Sequence, residues 1–481
     1  MTVKTVDLLV VGAGPAGLAA ALEAKRHGLT PLVIDENPLP GGQIYRSVSA
    51  SPLADPALLG EDYLYGRTLV QAFDDADIAY WPRTLVWQIG QDRRVFATRE
   101  GAGTWQIDAQ AIVLAGGAME RPFPIPGWTL PGVMGVGAAQ TLLKSAALAP
   151  QHGAVLAGCG PLHYLFAWQL LRAGVPVRAI LDTTQRTARR DALRHLGGAF
   201  RAPGYLAKGI KLLRAIRAAG VEHMTDVEAL RVLGSAGGDR AEAIEYRVAG
   251  ADGAPKRIDT PLILLHQGVV PNTQITRSIG CEHVWHDAQL CWVPRTDAWG
   301  ESSVPRIFVA GDGGGIAGAR AAEPSGRLAA LQAAHALGRI DTSRRDSAAF
   351  SLRRDLARHT AIRPFLDAYY RPSDAMRRPA DDDTVVCRCE EVTAGDVRRM
   401  AALGCVGPNQ TKSFSRCGMG PCQGRLCGLT VAELLAQAQG RAVADVGYYR
   451  IRAPLKPVML GDLAMAVPAP TQPAERQEFP R

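Results

Sequence analysis

The sequence has few of the features that membrane and secreted proteins need. No apolar run of about 18 residues, the length needed to cross a bilayer, is free of glycine and proline. The apolar stretch from Leu8 to Ala24 is interrupted by Gly-Ala-Gly-Pro-Ala-Gly, so it does not fit a signal peptide either. We therefore expect no membrane span and a cytoplasmic location.

A strong charge of one sign is also missing. Lysine and arginine number 54 against 46 aspartate and glutamate, which gives a net charge of +8 over 481 residues. This excess favours anionic ligands but does not indicate nucleic-acid binding. Hydrophobic residues make up 47% and charged residues 21% of the chain, which are ordinary values for folded proteins and exclude wholesale disorder. At about 150 residues per domain, the length allows roughly three domains.

A strand, a glycine turn, a helix, a second strand and an acid follow one another at the N terminus. Asp7 to Val11 is typical of a buried parallel strand, and Leu32 to Ile34 of a second one. Between them, Gly-Ala-Gly-Pro-Ala-Gly precedes an Ala-rich and Leu-rich helix. This order is typical of a dinucleotide-binding fold, in which the glycines let the pyrophosphate approach the helix N terminus and the acid binds the ribose. The residues predicted to contact the nucleotide are Gly12, Gly14, Pro15, Ala16, Gly17, Asp35 and Glu36.

Two later segments decide between FAD and NAD, which share this kind of cradle. Ile112-Val-Leu-Ala-Gly-Gly117 resembles the strand and glycine turn that return the chain past the flavin in flavoproteins with two dinucleotide folds. Arg306-Ile-Phe-Val-Ala-Gly-Asp312 is a second such strand. In that superfamily, the aspartate of a Gly-Asp pair bonds the ribityl and pyrophosphate region of FAD. The resemblance thus implies an FAD site with further contacts from Gly42, Gln43, Gly116, Gly311 and Asp312.

A second copy of the pattern lies in the middle of the chain and indicates a second nucleotide fold. The strand Gly153 to Ala157 leads into Gly158-Cys-Gly160-Pro-Leu-His163, a helix, and a strand that ends on Asp182. Gly158 and Gly160 are candidate contacts for NAD(P). His163 stands at the third glycine position, where a side chain would force helix and strand apart or point outward. Whether this copy binds NAD(P) is left open, and we expect His163 to be a packing residue rather than a catalyst.

These segments predict an α/β protein with two nested Rossmann-like domains and a small C-terminal domain of helices and loops. Residues 1–120 and 270–338 form a discontinuous FAD domain, 121–269 an inserted NAD(P)-like domain, 339–383 a linker, 384–440 a cysteine-rich domain, and 441–481 a C-terminal extension and tail. A disulfide reductase of this architecture needs a redox-active cysteine pair. No cysteine lies between Asp35 and Gly158, and no Cys-x-x-Cys motif occurs, which excludes that activity.

The C-terminal region is rich in cysteine. Six of the nine cysteines lie between Cys387 and Cys427, a pattern that suits a metal site better than disulfides in a reducing compartment. Cys387-Arg-Cys389 and Cys417-Gly-Met-Gly-Pro-Cys422 offer four thiolates, which implies an iron–sulfur or zinc site. The glycines favour a [2Fe–2S] centre, because they free backbone N–H groups for sulfur atoms, with zinc as the alternative. Cys405 and Cys427 are predicted to be small buried hydrophobes.

The order of these motifs resembles that of one family. The matching segments are the first glycine turn, Asp35-Glu-Asn-Pro-Leu-Pro-Gly-Gly-Gln-Ile-Tyr, Pro126-Gly-Trp-Thr-Leu-Pro-Gly-Val, the cysteine segment and Pro454-Leu-Lys-Pro-Val. In these segments the chain resembles the large subunits of bacterial opine oxidases, D-hydroxyproline dehydrogenases and hydrogen cyanide synthase. Segment 385–430 resembles the [2Fe–2S] domain of bacterioferritin-associated ferredoxin. The resemblance implies that the cluster ligands are Cys387, Cys389, Cys417 and Cys422.

The resemblance also implies a subunit of a heteromeric FAD-dependent dehydrogenase or oxidase of an amino or imino acid. A second flavoprotein subunit would oxidise the amine, with an FMN between subunits in some relatives and a small ferredoxin-like subunit as a further candidate partner. This chain would relay electrons to an acceptor, and any association with the inner membrane would be peripheral, through that acceptor. No residue is identified as a general base. Two alternatives remain. The chain could be an NAD(P)H-dependent flavoprotein reductase that acts alone, or an interaction subunit in which bound nucleotides only stiffen the assembly.

Overall fold

The computed structural model describes residues 2–250 and 254–466. Within these residues, no helix combines the length and the apolar character that crossing a membrane requires. Residues 467–481, the end of the predicted C-terminal extension, lie outside the described residues.

The first 120 residues supply most of a seven-stranded sheet. The elements of this part are β1 (Thr2–Val11), α1 (Pro15–Arg26), β2 (Pro31–Ile34), α2 (Glu61–Asp75), β3 (Ala79–Trp81), β4 (Thr84–Ile89), β5 (Arg94–Arg99), β6 (Gly103–Leu114) and β7 (Ala118–Glu120). Six of these strands lie in the sheet in the order β3-β2-β1-β6-β5-β4, and β1 pairs in parallel with β2 and β6. Leu8, Leu9 and Val10 of β1 are completely buried, because helices or loops cover both faces of this central strand. The glycine turn therefore starts from a rigid strand end.

The middle of the chain builds a second, five-stranded parallel sheet in the order β11-β10-β9-β15-β8, beside a three-stranded antiparallel sheet β12-β13-β14. Its elements are β8 (Val133–Gly135), α3 (Val136–Ala146), β9 (Ala154–Cys159), α4 (Pro161–Arg172), β10 (Val177–Asp182), α5 (Arg186–Ala192), α6 (Leu196–Phe200), α7 (Pro203–Ala218), β11 (Glu222–Met224), β12 (Val227–Gly234), β13 (Ala241–Val248), β14 (Lys256–Asp259), β15 (Ile263–Gln267) and β16 (Val269–Pro271). The second glycine turn joins β9 to α4, as the first joins β1 to α1.

The chain then returns to the first sheet through α8 (Gln274–Ile279), β17 (His283–His286), β18 (Cys291–Pro294), β19 (Ile307–Val309) and α9 (Ala319–Ala336). β19 pairs in parallel with β6, and α9 packs on α1. Segments on both sides of the second sheet thus share the first one, which brings the Gly-Asp segment after β19 next to the N-terminal glycine turn.

The segment 339–383, which the sequence predicts as a linker, is largely helical. It contains α10 (Thr342–Thr360), α11 (Arg363–Tyr369) and α12 (Asp374–Arg377); α10 packs on α9 of the first fold and α11 on α5 of the second. The sequence did carry a signal for α10, since the Asp341 carboxylate caps it by accepting a hydrogen bond from the Arg344 N–H at 2.8 Å. Pro364 stands in the first turn of α11, where proline does not break a helix.

The cysteine-rich region has its own core, in which α13 and α14 pack against α15. It comprises β20 (Val385–Cys387), β21 (Val392–Thr393), α13 (Ala394–Ala402), α14 (Pro408–Ser415), α15 (Gly428–Gln439) and α16 (Val443–Val446). The last described helix, α17 (Leu460–Ala466), packs instead on β6 of the first sheet. After α16 the chain folds back on the first sheet, where the Leu455 N–H donates to the carbonyl of Trp87 at 2.9 Å. This return brings Lys456 to Glu36, just after β2, and makes Arg425, Leu455 and Lys456 part of the wall of the cavity at the first glycine turn.

Candidate nucleotide and metal sites

The first glycine turn is shaped by two contacts that only glycine permits. Gly12 has φ +104°, and a Cβ there would lie 2.5 Å from the Ala115 carbonyl oxygen. A Cβ at Gly17 would lie 1.9 Å from the Gly12 carbonyl oxygen. Gly14 is different, because the nearest atom a Cβ would meet is the Gly42 Cα at 3.8 Å. Gly12 and Gly17 therefore hold the turn together, while Gly14 leaves room for a ligand.

The acid at the end of β2 is tied to this turn. One carboxylate oxygen of Asp35 accepts a hydrogen bond from the Ala13 N–H at 2.6 Å. The other accepts from the backbone N–H and the side-chain amide of Asn37, at 2.7 and 2.8 Å. The sequence predicts Asp35 as a ribose ligand; in the structure it lines the cavity and also fixes the turn. Glu36 forms an ion pair with Lys456 from the C-terminal segment.

The segments after β6 and β19 form the wall of the cavity opposite the first glycine turn. Gly116 and Gly117 have no atom within 4 Å of a built Cβ, so the backbone there is open to a ligand. Gly311 lies against Ala16, whose Cβ would be 2.9 Å from a Cβ on Gly311. Asp312 accepts hydrogen bonds from the N–H groups of residues 317 and 318, both at 2.8 Å, and so shapes the loop that leads to α9.

All the predicted nucleotide residues except Gly17 and Gly158 line one cavity of about 1180 Å³. Small-molecule sites typically measure about 300–1,000 Å³, so this cavity has room for an extended dinucleotide. The open backbone at Gly14 and Gly116 fits a pyrophosphate-containing cofactor such as FAD.

Lys144 supports one wall of the cavity and was missed in the sequence, which offers no signal for it. Its ammonium donates to the carbonyls of Gln43 and Ile44 at 3.2 and 3.0 Å, and to Gln140 Oε1 at 2.9 Å. Burial lowers the pKa of Lys144 to about 7. The predicted Gly42-Gln43 loop is thus held from behind by a buried amine.

The second glycine turn is narrowed by protein, although Gly160 and His266 still line the cavity. A Cβ at Gly158 would lie 1.6 Å from the His266 carbonyl oxygen, and one at Gly160 would lie 3.0 Å from the His266 imidazole. His266 is 2% exposed and its Nδ1 is 2.8 Å from a Glu120 carboxylate oxygen. His163 does not point outward: it is completely buried between helix and strand. Burial, and next the neighbouring His266, lower the pKa of His163 to about 3, so the ring is neutral.

The acid of the second fold bonds to its own domain. Asp182 is 2% exposed and accepts hydrogen bonds from the Tyr164 hydroxyl and the Thr184 N–H, each at 2.8 Å, and from Arg189 at 3.2 Å. The predicted linker also contacts this turn, because the carbonyl of Tyr370 accepts a hydrogen bond from the Cys159 thiol at 3.7 Å. The carboxylate that would bind a ribose in this fold is therefore already occupied.

The cysteine-rich region gathers sulfur atoms in two groups. The sulfurs of Cys387, Cys417 and Cys427 all lie within 4.8 Å of one another and are buried. Cys389 is exposed and hydrogen-bonds to Cys422. The four predicted ligands are thus split between the groups, and Cys427, which the sequence assigns to simple packing, joins the buried one.

Local geometry explains how the loop brings these sulfurs together. Arg416 ends α14 in the left-handed region with φ 60°, which turns the chain so that Cys417 faces Cys387. Tyr449 packs against Gly418 and Gly424, where a Cβ would lie 2.6 and 2.5 Å from its ring. Its hydroxyl donates to the Cys417 sulfur at 3.3 Å. The sequence signal for Tyr449 was the pair of glycines that make room for its ring.

The buried sulfurs influence one another's protonation. Hydrogen bonds from the Cys417 and Cys427 thiols lower the pKa of Cys387, while the pKa of Cys427 is raised, first by its hydrogen bond to Cys387. Three buried sulfur atoms this close together are a donor set that suits a thiophilic metal.

The comparisons with known proteins agree with this architecture. The profile of the pyridine nucleotide-disulphide oxidoreductase family matches residues 6–336, and that of the sarcosine oxidase A3 domain matches residues 382–466. An opine oxidase subunit of Rhizobium meliloti is 46% identical over 95% of this chain and 87% of its own length. The chain belongs to the family of these opine oxidase subunits. The family resemblance and the α/β fold class predicted from the sequence are confirmed.

The chain is also similar, at lower identity, to other oxidoreductases. Hydrogen cyanide synthase subunit HcnB of Pseudomonas protegens is 32% identical over 94% of this chain and 96% of its own length. Among solved structures, the L-proline dehydrogenase from P. horikoshii has a TM-score of 0.68 and 18% identity, and the match covers 96% of this chain and 80% of that one. This last similarity shows a shared fold.

Proposed function

We propose that this chain is the electron-relaying subunit of a heteromeric, FAD-dependent dehydrogenase or oxidase of an amino or imino acid, with an opine or D-hydroxyproline as the substrate class. The names of its relatives support this, since its opine oxidase relatives are by name subunits of an oxidase. A second flavoprotein subunit would carry out the amine oxidation, and a small ferredoxin-like subunit is a further candidate partner.

The first cradle is the proposed FAD site. Gly14 and Gly116 offer open backbone to the pyrophosphate, and the N terminus of α1 supplies free N–H groups for it. Asp35 keeps one oxygen with a single hydrogen bond, which leaves a lone pair for a ribose hydroxyl. These contacts support nucleotide binding at the first cradle.

The cysteine-rich region is the proposed [2Fe–2S] site. Such a centre takes four thiolates, and the two sulfur groups together provide five. When bound, the flavin exchanges electrons in pairs and the cluster exchanges them singly. The glycines around the loop allow Tyr449 to close the site on its buried side, which excludes water from the sulfurs.

The single observation that carries the proposal is that the cysteine loop forms part of the wall of the nucleotide cavity. Arg425 lines the cavity and donates to the carbonyl of Cys422 at 3.0 Å. It also donates to the carbonyl of Leu455 at 3.2 Å, and Leu455 lines the same cavity. A group bound at the first cradle would thus lie beside the thiolate loop, as electron relay requires.

The test is to purify the chain anaerobically with its companion subunits and to measure flavin, iron and acid-labile sulfide. We expect all three, and we expect an opine or D-hydroxyproline to bleach the flavin and to reduce a one-electron dye. Cys417→Ser combined with Cys427→Ser should block dye reduction, whereas Cys405→Ser, in the same domain, should not. A preparation without iron and flavin contradicts the proposal, and bleaching of the isolated chain by NADPH favours a self-sufficient reductase instead.

A further inference from the structure

The net positive charge of the chain is concentrated in the segment that forms α5, α6 and α7. Residues 186–217 contain nine of the 54 lysines and arginines but only one of the 46 acidic residues, Asp191, which leaves 45 of each kind in the rest of the chain. This segment therefore carries the whole excess of +8. The excess belongs to one surface of the second fold and not to the molecule as a whole.

Most of this charge faces solvent. Four of the nine cations form ion pairs, with Asp226, Asp191 or Asp62, and these four are Arg186, Arg189, Arg194 and Lys208. The other five are exposed and have no ion pair within the part of the chain that the structure describes: Arg190, Arg201, Lys211, Arg214 and Arg217. An anionic partner can therefore reach five uncompensated cations.

Large apolar side chains stand among these cations. Leu193, Phe200 and Ile210 are 59%, 67% and 50% exposed, although residues of these types are usually buried. The packing of the segment uses other residues, since Ala199 of α6 and Leu212 of α7 are buried. The three exposed side chains thus add apolar contact points to a cationic surface.

On α7 the two kinds of side chain share one face. Ile210, Leu213, Arg214 and Arg217 follow one another at intervals of three, one and three residues, which places them on one side of a helix. All four are exposed, whereas Leu212 on the other side is buried. An arginine can lay its methylene stem along an apolar neighbour and keep its guanidinium in a polar layer. This is the arrangement of a helix that lies in the plane of a lipid surface.

We propose that α5, α6 and α7 form a surface that docks on an anionic lipid bilayer. The headgroup phosphates pair with the five exposed cations, and Leu193, Phe200 and Ile210 enter the boundary between headgroups and acyl chains. A protein partner fits the pattern less well, because apolar side chains in protein interfaces gather in one core inside a polar rim, whereas here they alternate with cations. The docking needs no cofactor, so it is independent of the proposed function.

Vesicle flotation of the full chain, purified with its companion subunits, tests the docking. One set of vesicles is phosphatidylcholine alone, and the other contains an equal part of the anionic phosphatidylglycerol. We expect binding to the second set only, and its release by high salt, because salt screens the headgroup charge. The combined substitutions Lys211→Gln, Arg214→Gln and Arg217→Gln should lower the partition coefficient onto anionic vesicles about tenfold or more.

Phe200→Ser with Ile210→Ser distinguishes docking from the attraction of any cationic protein. This variant keeps every charge, so attraction alone predicts unchanged binding, whereas insertion of the apolar side chains predicts a loss of about tenfold or more. The matched control combines Arg240→Gln, Arg247→Gln and Lys256→Gln, three exposed cations in or beside the sheet β12-β13-β14. The control should bind like the wild type.

Failure of the wild type to bind anionic vesicles overturns the inference, and this result needs no variant. Equal binding of the α7 variant and the control variant overturns it as well, as does unchanged binding after the substitutions at Phe200 and Ile210. Loss of a companion subunit from the α7 variant, with no vesicle binding by the wild type, assigns the surface to an acidic protein and overturns the lipid assignment. Because the substituted side chains are exposed, the variants should keep the fold, which circular dichroism measures.

Discussion

In the first glycine turn, Asp35 bonds the turn and still faces a cavity, whereas in the second turn Asp182 is buried and bonded on all sides by its own domain. Both turns join a buried parallel strand to a helix, and both put an acid at the end of the next strand. Gly14 and Gly160 line the same cavity, but they differ in the room beside them: a Cβ on Gly14 would meet no atom closer than 3.8 Å, whereas one on Gly160 would lie 3.0 Å from the His266 imidazole.

This difference separates fold from binding. A strand, a glycine turn and a helix can be kept for their packing alone, and then side chains occupy the place of the ligand. In the second fold, the side chains of the Glu120 and His266 pair and of His163 lie around the glycine turn, where a bound nucleotide would otherwise pack. The comparison predicts that substitutions in the first turn change cofactor content, while matched substitutions in the second change stability.

The largest effect is expected for Gly14→Val. The backbone at Gly14 has φ −78°, which valine can adopt, so the variant should fold. Its side chain would enter the space that the pyrophosphate needs, and we expect flavin per chain to fall about tenfold or more. Flavin absorbance per chain measures this.

Gly160→Val is the matched change in the second turn. At φ +122° and 3.0 Å from the His266 ring, valine would strain the fold and lower the melting temperature, while the folded fraction keeps its flavin. Normal flavin content in Gly14→Val would contradict the comparison.

Asp182→Asn should come next in size. The substitution removes a buried charge that accepts from Tyr164, Thr184 and Arg189, and losing one partner of a buried network costs about 3 kcal/mol. Urea denaturation of the folded protein measures this loss. Asp35→Asn is the control: it should weaken flavin binding more than it lowers the free energy of unfolding. The reverse pattern would assign the ligand to the second fold.

The sequence predicts the first cradle better than the metal site for a physical reason. Gly12, Gly17 and Asp35 act through neighbours at fixed distances along the chain, so spacing alone identifies them. The grouping of Cys427 with Cys387 depends on a left-handed turn at Arg416 and on the packing of Tyr449, both of which are set by the tertiary fold. For His163, the sequence reveals that a histidine replaces the third glycine of the pattern. It does not reveal that the ring is buried rather than turned outward, because that depends on tertiary packing.

His163 predicts an acid sensitivity in the second fold. Its pKa is lowered from 6.5 to about 3 by burial, so the unfolded chain binds a proton more readily below pH 6.5. The stability that this residue contributes is complete above pH 6.5 and is lost as the pH falls towards 3, with about 2 kcal/mol lost by pH 5.

His163→Leu should remove this part of the pH dependence. Denaturant unfolding at pH 7 and pH 5 measures it, and the variant should lose about 2 kcal/mol less than the wild type between the two. His283, whose pKa burial also lowers to about 3, keeps its contribution in the variant and serves as the internal reference. Identical pH dependence in both proteins would mean that His163 has the same pKa in the folded and the unfolded chain, and would contradict its burial.

The smallest effect is expected for Lys456→Met, which breaks the ion pair with Glu36 at the edge of the first cradle. Both side chains are partly exposed, at 29% and 47%, and such pairs contribute about 0.5 kcal/mol that salt screens further. Leu455 remains buried beside it and its N–H remains bonded to Trp87, so the C-terminal segment should stay in place. Unfolding in low and high salt measures the pair. Flavin loss as large as in Gly14→Val would make Lys456 a direct contact of the cofactor, and the first cradle would then extend to the C-terminal segment.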